Sequence, residues 1–233
     1  MTYRELINQV LIRLREDTIA TDWSGNINDS STVSAYQKVI GALINDSKRN
    51  IENYHDWLNL RETVNISTVA GTKNYNLNSG QELKVVDAIN NNTGIHLSQA
   101  SRVYINTVKY PTDDTGEPLY YAFNGSDTSN NLKVDLSPVP TDVHTLSFDI
   151  IKPQDDLSTA TTVLKIPSKP VILGAVARAI SERGEDGGTQ SSLMAQEASD
   201  AIKQAIMLDS GNTQYETDWY VNENNSHGTV NFR

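Results

Sequence analysis

The stretch Tyr54-His55-Asp56-Trp57-Leu58-Asn59-Leu60-Arg61-Glu62-Thr63-Val64-Asn65-Ile66-Ser67-Thr68 decides how this chain folds. Before it, apolar residues recur at helical spacing. From about Asn59 the period changes to two, with Val64, Ile66 and Thr68 alternating with polar neighbours. Helical spacing returns only after Ile166-Pro167-Ser168. A chain that leaves the helical period here and regains it so much later carries a β region inside a helical frame.

Working outward, the N-terminal side holds two helices. Thr2 and Glu5 form a capping box, and Tyr3, Leu6, Ile7, Val10 and Leu14 make one apolar stripe that ends near Glu16. A polar loop from Asp22 to Ser31 contains Trp23, read as a packed residue. The second helix is predicted from about Thr32 to Tyr54. Tyr36, Val39, Ile40, Leu43, Ile51 and Tyr54 share one face, and Lys38, Asn45, Lys48, Arg49 and Glu52 share the other. On the C-terminal side, Pro170 suits a first helical turn, and Val171, Ile172, Ala175, Val176, Ala179 and Ile180 form a stripe that breaks at Gly184 to Gly188. The last helix runs from about Gln190 to Leu208, with Met194, Ala198, Ala201, Ala205 and Leu208 on its apolar face. Each helix has one stripe to bury, so a four-helix bundle is expected.

Between them lies a predicted β region. Ala70-Gly71 turns the chain, and Tyr75 and Leu77 continue the alternation. Leu83 to Ile89 reads as a strand closed by Asn91-Asn92-Thr93-Gly94. A short helix follows from Ser98 to Lys109, then strands at Leu119 to Phe123, Leu132 to Leu136 and Leu146 to Ile151, with Asn124-Gly125 as a hairpin signal. Short turns between sequential strands make a mostly antiparallel arrangement. The expected fold class is α+β: a four-helix bundle (residues 1–58 and 167–210), an antiparallel β domain inserted between helices two and three (59–166), and an extended C-terminal tail (211–233). Gln214 to Arg233 lacks helical periodicity and is rich in Asn, yet it holds Tyr215, Trp219, Tyr220, Val221, Val230 and Phe232.

Composition narrows the function. The 233 residues carry a formal net charge of -10 at pH 7, and no basic cluster is present to displace counterions from phosphates. There is no cysteine, so disulfides, thiolate metal sites and a Cys nucleophile are excluded. No apolar run approaches a membrane span. Met1-Thr2-Tyr3-Arg4-Glu5 opens into a helical pattern and does not read as a signal peptide. Asn65-Ile66-Ser67 and Asn124-Gly125-Ser126 match glycosylation sequons and are read as chance in an Asn-rich chain.

His55, His96, His144 and His227 form no metal-binding array. The acidic pairs Asp113-Asp114, Asp155-Asp156 and Glu185-Asp186 sit among turn residues, where solvated carboxylates keep ordinary pKa values. Tyr104, Tyr110, Tyr120, Tyr121 and Phe123 are read as packing residues of the β region and not as a sugar platform. No catalytic residue, metal or cofactor is assigned.

The chain resembles the head-to-tail adaptor proteins of short-tailed bacteriophages, of the tail tubular protein A type. The likeness is carried by Thr2 to Leu14, by Tyr54-His55-Asp56-Trp57-Leu58, and by Val69-Ala70-Gly71-Thr72 with Tyr75-Asn76-Leu77. It continues in Val134-Asp135-Leu136-Ser137-Pro138-Val139-Pro140, Ile151-Lys152-Pro153, Ile166-Pro167 and Ser181-Glu182-Arg183-Gly184. The resemblance implies a structural virion protein, not an enzyme, forming a homo-oligomeric ring, a dodecamer, between the portal protein and the tail nozzle protein. DNA would pass through its channel without specific binding. Such a protein would reside in the phage neck or tail after assembly in the host cytoplasm, with no membrane contact. Within that frame Tyr215, Trp219, Tyr220, Val221 and Phe232 are expected to dock on the portal. Glu182, Glu185 and Asp186 are the acidic candidates for the channel wall. Another virion neck or tail-completion protein, a carbohydrate-binding module and a glycan hydrolase are the alternative readings.

Overall fold

Two capping boxes start the helical part of the molecule. The Thr2 backbone N–H donates to Glu5 Oε2 at 2.8 Å while the Glu5 N–H donates back to Thr2 Oγ1 at 3.4 Å, opening α1 at Tyr3–Arg13. Ser34 and Gln37 repeat the exchange at 2.9 and 3.2 Å and open α2 at Ala35–Glu52. Each box satisfies N–H groups that a helix start would otherwise leave unpaired. This computed structural model describes residues 1–20, 22–78, 80, 82–106, 115–184 and 188–217, the last five by backbone alone. It is a mixed α+β chain that divides into two compact units.

The helical unit comprises Met1–Leu60 and the chain from Pro153 to the end of the last helix. Besides α1 and α2 it holds a 3₁₀ turn at Leu58–Leu60, α4 at Ser168–Arg183 and α5 at Thr189–Thr217, with α3 (Arg102–Tyr104) in the other unit. α4 packs on both α2 and α5, and α1 packs on α2 and α4. Its core includes Tyr3, Leu6, Ile7, Val10 and Leu11 of α1, Ile40, Ile44 and Ile51 of α2, and Val171, Ala175 and Val176 of α4. Gly41 makes the α1–α2 approach possible: a Cβ there would lie 2.4 Å from the Tyr3 hydroxyl and 2.7 Å from Ile27 Cδ1.

Three side-chain amides tie irregular chain to this frame. Asn8 exchanges two hydrogen bonds with the backbone of Ile19, at 2.8 and 3.2 Å. Asn45 does the same with Leu157, at 2.9 and 3.0 Å. Gln154 donates to the Val163 carbonyl at 2.7 Å and accepts from the Lys165 N–H at 3.0 Å. Each amide supplies one donor and one acceptor to backbone that has no ladder partner of its own.

The β unit, Arg61–Lys152, holds two four-stranded sheets. The first orders β1 (Arg61–Ser67), β10 (Thr145–Ile151), β3 (Lys84–Asn90) and β4 (Ile95–His96), all antiparallel. The second orders β2 (Asn74–Asn76), β8 (Leu132–Ser137), β7 (Tyr120–Ser126) and β5 (Ser98–Gln99). Ile66, Leu77, Ala88, Tyr121, Val134, Leu136, Leu146, Phe148 and Ile150 form its core. Tyr121 meets Phe148 edge-on with ring centroids 5.5 Å apart, and burial pushes its phenol pKa up to about 12.

The β unit is mostly antiparallel, as expected, with two parallel pairings: β5 with β7, and β6 (Thr115–Gly116) with β9 (Val139–Pro140). Each of these pairings is only two residues long. Asn124-Gly125 is not the hairpin turn. It lies inside β7 at a register shift between Phe123 and Ser126, with Gly125 at φ 68°, an arrangement of the bulge type. The turn itself is at 127–131, where the Asp127 carboxylate accepts from the Ser129 and Asn131 N–H groups, each at 2.8 Å. Those backbone donors, Asn131 first, hold the Asp127 pKa below its usual value. The helix expected from Ser98 reduces to α3 at Arg102–Tyr104, and residues 107–109 of that expectation lie outside the described residues.

Candidate assembly site

The buried face of α2 keeps Ile40 and Ile51 of the expected apolar stripe but is turned from it toward residues read as polar. Val39 and Tyr54 are 38% and 66% exposed, whereas Lys48, placed on the polar face by its charge, is 0% exposed. Gly41, Ile44, Ser47, Lys48, Ile51 and Glu52 point inward. Lys48 Nζ lies 3.2 Å from Glu52 Oε2 and also donates to the Gln154 carbonyl. Glu52 Oε1 accepts from the Gln154 N–H at 3.2 Å. A helical pair four residues apart thus meets both backbone groups of one residue of the returning chain. Burial outweighs the ammonium partner and raises the Glu52 pKa. The group is closed, with every charge paired inside it, so it has the character of a structural clamp and not of an open catalytic site. Outside it, Arg49 pairs with Asp156, which takes that carboxylate out of the Asp155-Asp156 enzyme candidate.

His55, His96 and His144 are likewise occupied, and His227 lies outside the described residues. His55 Nε2 lies 3.0 Å from Asp209 Oδ2, which also accepts the Leu58 N–H at 3.1 Å. The His55 ring stands edge-on to Trp57 at 5.1 Å. His96 pairs with Asp87 at 2.8 Å. His144 Nδ1 lies 3.3 Å from the buried Asn90 amide. Among the described residues no group of three or more His, Asp or Glu is placed to hold a metal ion, and no helix is long and apolar enough to cross a membrane. Of the five aromatics of the β region, Tyr121 is in the core with Phe123 packed against it. Tyr104 and Tyr120 form an edge-on pair 6.1 Å apart. Tyr110 lies outside the described residues, as do Asp113 and Asp114.

The features that remain are surfaces on α5. Among the described side chains of this helix only Ala198 and Ala201 are buried, and Leu193, Met207 and Leu208 are 59%, 76% and 77% exposed. Leu208, expected on the apolar face toward the bundle, faces solvent. Beside it, α2, α4 and α5 enclose a groove of about 490 Å³. Ile51, Gly174, Ala177 and Ala198 contribute apolar lining, and Arg178 and Lys203 contribute charge. Arg178 Nη1 is buried without a hydrogen-bond partner among the described residues. Lys203 pairs with Asp200 at 3.1 Å.

The helix does not stop at Ser210-Gly211 as expected. It continues to Thr217, so the tail begins later than residue 211, and Tyr215 belongs to α5 by its backbone. Gly211 is tolerated inside the helix at a cost of about 1 kcal/mol relative to Ala, and the Asp209 contacts to residues 55 and 58 anchor the turn before it. Trp219, Tyr220, Val221 and Phe232 lie outside the described residues. Of the acidic candidates, Glu182 is exposed at the end of α4, while Glu185 and Asp186 lie outside the described residues. The neighbouring Arg183 pairs with Glu16 and stacks 4.8 Å from the centre of the Tyr36 ring.

The Asp209 and Lys48 contacts are the residues that sequence reasoning missed. Their partners lie more than a hundred residues away, and no spacing signal reports that.

The site therefore offers surface for another chain and a closed interior, without a constellation of reacting groups in the described residues. No curated protein matches the chain significantly. The profile of the SU10 adaptor proteins, in contrast, matches residues 1–224, from the first capping box through α5 and beyond it. The chain belongs to the SU10 adaptor protein family, a family of phage adaptors.

Proposed function

We propose that the protein is a head-to-tail adaptor of a tailed phage virion, forming a ring between the portal and the tail nozzle around the DNA channel. The observation that carries this reading is the family match over residues 1–224. The match spans both the helical unit and the β unit. In this reading the helical unit is a four-helix bundle and the β unit is its insertion. The ring is a dodecamer assembled in the host cytoplasm. Tyr215, Trp219, Tyr220, Val221 and Phe232 dock on the portal. The acidic balance of the chain, -10 at pH 7, suits a wall past which DNA phosphates must slide without being held. Glu182, Glu185 and Asp186 are proposed for that wall.

Electron microscopy of the purified chain, alone and mixed with its portal, tests the reading. Rings, or twelve-fold density seated on the portal, are expected. Monomers that leave the portal bare at micromolar concentrations of both proteins would refute it.

A further inference from the structure

The groove between α2, α4 and α5 is apolar and carries charge of one sign. Ala177, Ala198 and Ile202 supply small and branched surface, the charged lining residues are Arg178 and Lys203, and no acid lines it. Lys203 has a partner outside the lining, Asp200. Arg178 Nη1, in contrast, is buried with no acceptor among the described residues, a state that costs free energy until an acceptor arrives. The groove therefore fits a compact apolar knob that carries a carboxylate.

The described surface of this same chain presents one. Among its exposed large apolar residues, Val86, Val143 and Leu208 stand directly beside a carboxylate in the sequence. Asp87, beside Val86, is paired with His96. Asp209, beside Leu208, is held by His55 and the Leu58 N–H. The Asp142 carboxylate, beside Val143, accepts among the described residues only from the hydroxyl of its own neighbour Thr141, at 3.1 Å. Val143 is 66% exposed, and Val69, opposite it beyond the end of the β1–β10 ladder, is 58% exposed. This tip is shaped by its own hydrogen bonds. Thr68 donates its N–H to the His144 carbonyl at 2.8 Å and its hydroxyl to the Asp142 carbonyl at 2.9 Å, and the Tyr75 hydroxyl accepts the Val69 N–H at 2.9 Å. A knob ordered before it binds loses little freedom on docking.

We propose that the tip of one copy, Val69 with Asp142 and Val143, seats in the α2–α4–α5 groove of a neighbouring copy, where Asp142 meets Arg178. Knob and groove are different patches of one chain, so the contact is heterologous, and such contacts propagate head to tail and form a ring where the rotation closes. A groove of about 490 Å³ is of a size that takes up several side chains. The inference deepens the ring reading above and rests on it for the closure of the contact into a ring.

Because the chain has no cysteine, introduced thiols report the contact without background. Val143→Cys and Ser199→Cys, the latter on the groove wall, are made singly and together in the full-length protein. Each is oxidised with copper–phenanthroline, free and mixed with the portal. The mixed single variants should give a covalent heterodimer, and the double variant a ladder of multimers. Both yields should be several-fold above a control in which Thr128→Cys, on an exposed turn of the same unit, replaces Val143→Cys. Arg178→Glu should lower the yield several-fold, and adding Asp142→Arg should restore it. Far-UV circular dichroism checks that each variant is folded, and the mixed single variants, which keep Arg178 and Asp142, decide the matter if Arg178→Glu is not. An intrachain disulfide as the main product of the double variant, a yield equal to the control, or dimers of one single variant formed as readily as the mixed pair overturns the proposal. Rings seen by electron microscopy without the ladder overturn this contact and leave the ring reading standing. A ladder without rings supports the contact and counts against closure.

Discussion

Removing the Lys48 side chain leaves the Glu52 carboxylate buried without its counter-charge and the Gln154 carbonyl without a donor. Breaking a buried pair from one side costs about 3–5 kcal/mol, so Lys48→Ala should lower the free energy of unfolding by that amount in urea titrations. The pH dependence of the wild type has a definite sign. Glu52 has a raised pKa in the folded state, so it binds its proton more tightly there than in the unfolded chain. The stability it contributes is fully present below the ordinary glutamate value and is lost as pH rises through the raised one. Glu52→Gln, which cannot ionise, should lose that part of the slope in melting curves recorded from below pH 4.5 upward; an unchanged slope would show that Glu52 is not its source. Nothing at residue level in the sequence marks this pair. Four-residue spacing of Lys and Glu is what a solvated helix face also carries, and only the return of Gln154 makes it an interior.

At the scale of elements, α1 was legible because its start is chemical: Thr2 with Glu5 writes the capping box into the sequence. The second helix was legible from its apolar spacing, but its start, expected near Thr32, is set by the Ser34–Gln37 box. The contact between them depends on Gly41. Gly41→Ala would drive a methyl group into the Tyr3 hydroxyl and Ile27, and overpacking of this kind costs about 1–3 kcal/mol, read as a lowered urea midpoint. The end of α5 was not legible. Ser210-Gly211 carries the local signal for a stop, but Asp209 is engaged by Leu58 and His55, and tertiary contact overrides the local preference. Asp209→Ala should destabilise the helical unit by about 1–3 kcal/mol, since the half-buried Leu58 N–H loses its acceptor. Faster hydrogen exchange at the Leu58 amide would localise the effect. The Asn124-Gly125 pair misled for a related reason. Its positive φ is real at Gly125, but a left-handed glycine serves a bulge as well as a turn.

At the scale of the whole molecule, the proposal turns on the residues after Thr217. Truncation after Thr217, which retains Asp209 and its contacts, should leave a folded subunit that no longer stays attached to the portal in co-sedimentation. Trp219→Ala in the full chain should weaken attachment by about 1–3 kcal/mol, as expected for an aromatic anchor at an interface. Undiminished portal binding by either variant argues against the docking assignment. A ring whose lumen is lined mainly by Lys and Arg would remove Glu182, Glu185 and Asp186 from the channel wall. These expectations belong to the assembly and not to the subunit, because a single subunit has no lumen.

The sequence by itself determined the alternation of helical and β regions, the start of α1, and the absence of cysteine chemistry. Those depend on periodicity, capping and composition, which act over a few residues. Only the tertiary structure decided which face of α2 is inside, where α5 ends, which strands run parallel, and that Arg178 has a buried donor at a groove. The physical reason is common to all four. Each depends on a partner brought in by the returning chain: Gln154 over Lys48, Leu58 beside Asp209, β7 beside β5, and α2 and α5 against α4. Burial of that kind depends on three-dimensional proximity, and the spacing of residues along one element does not encode it.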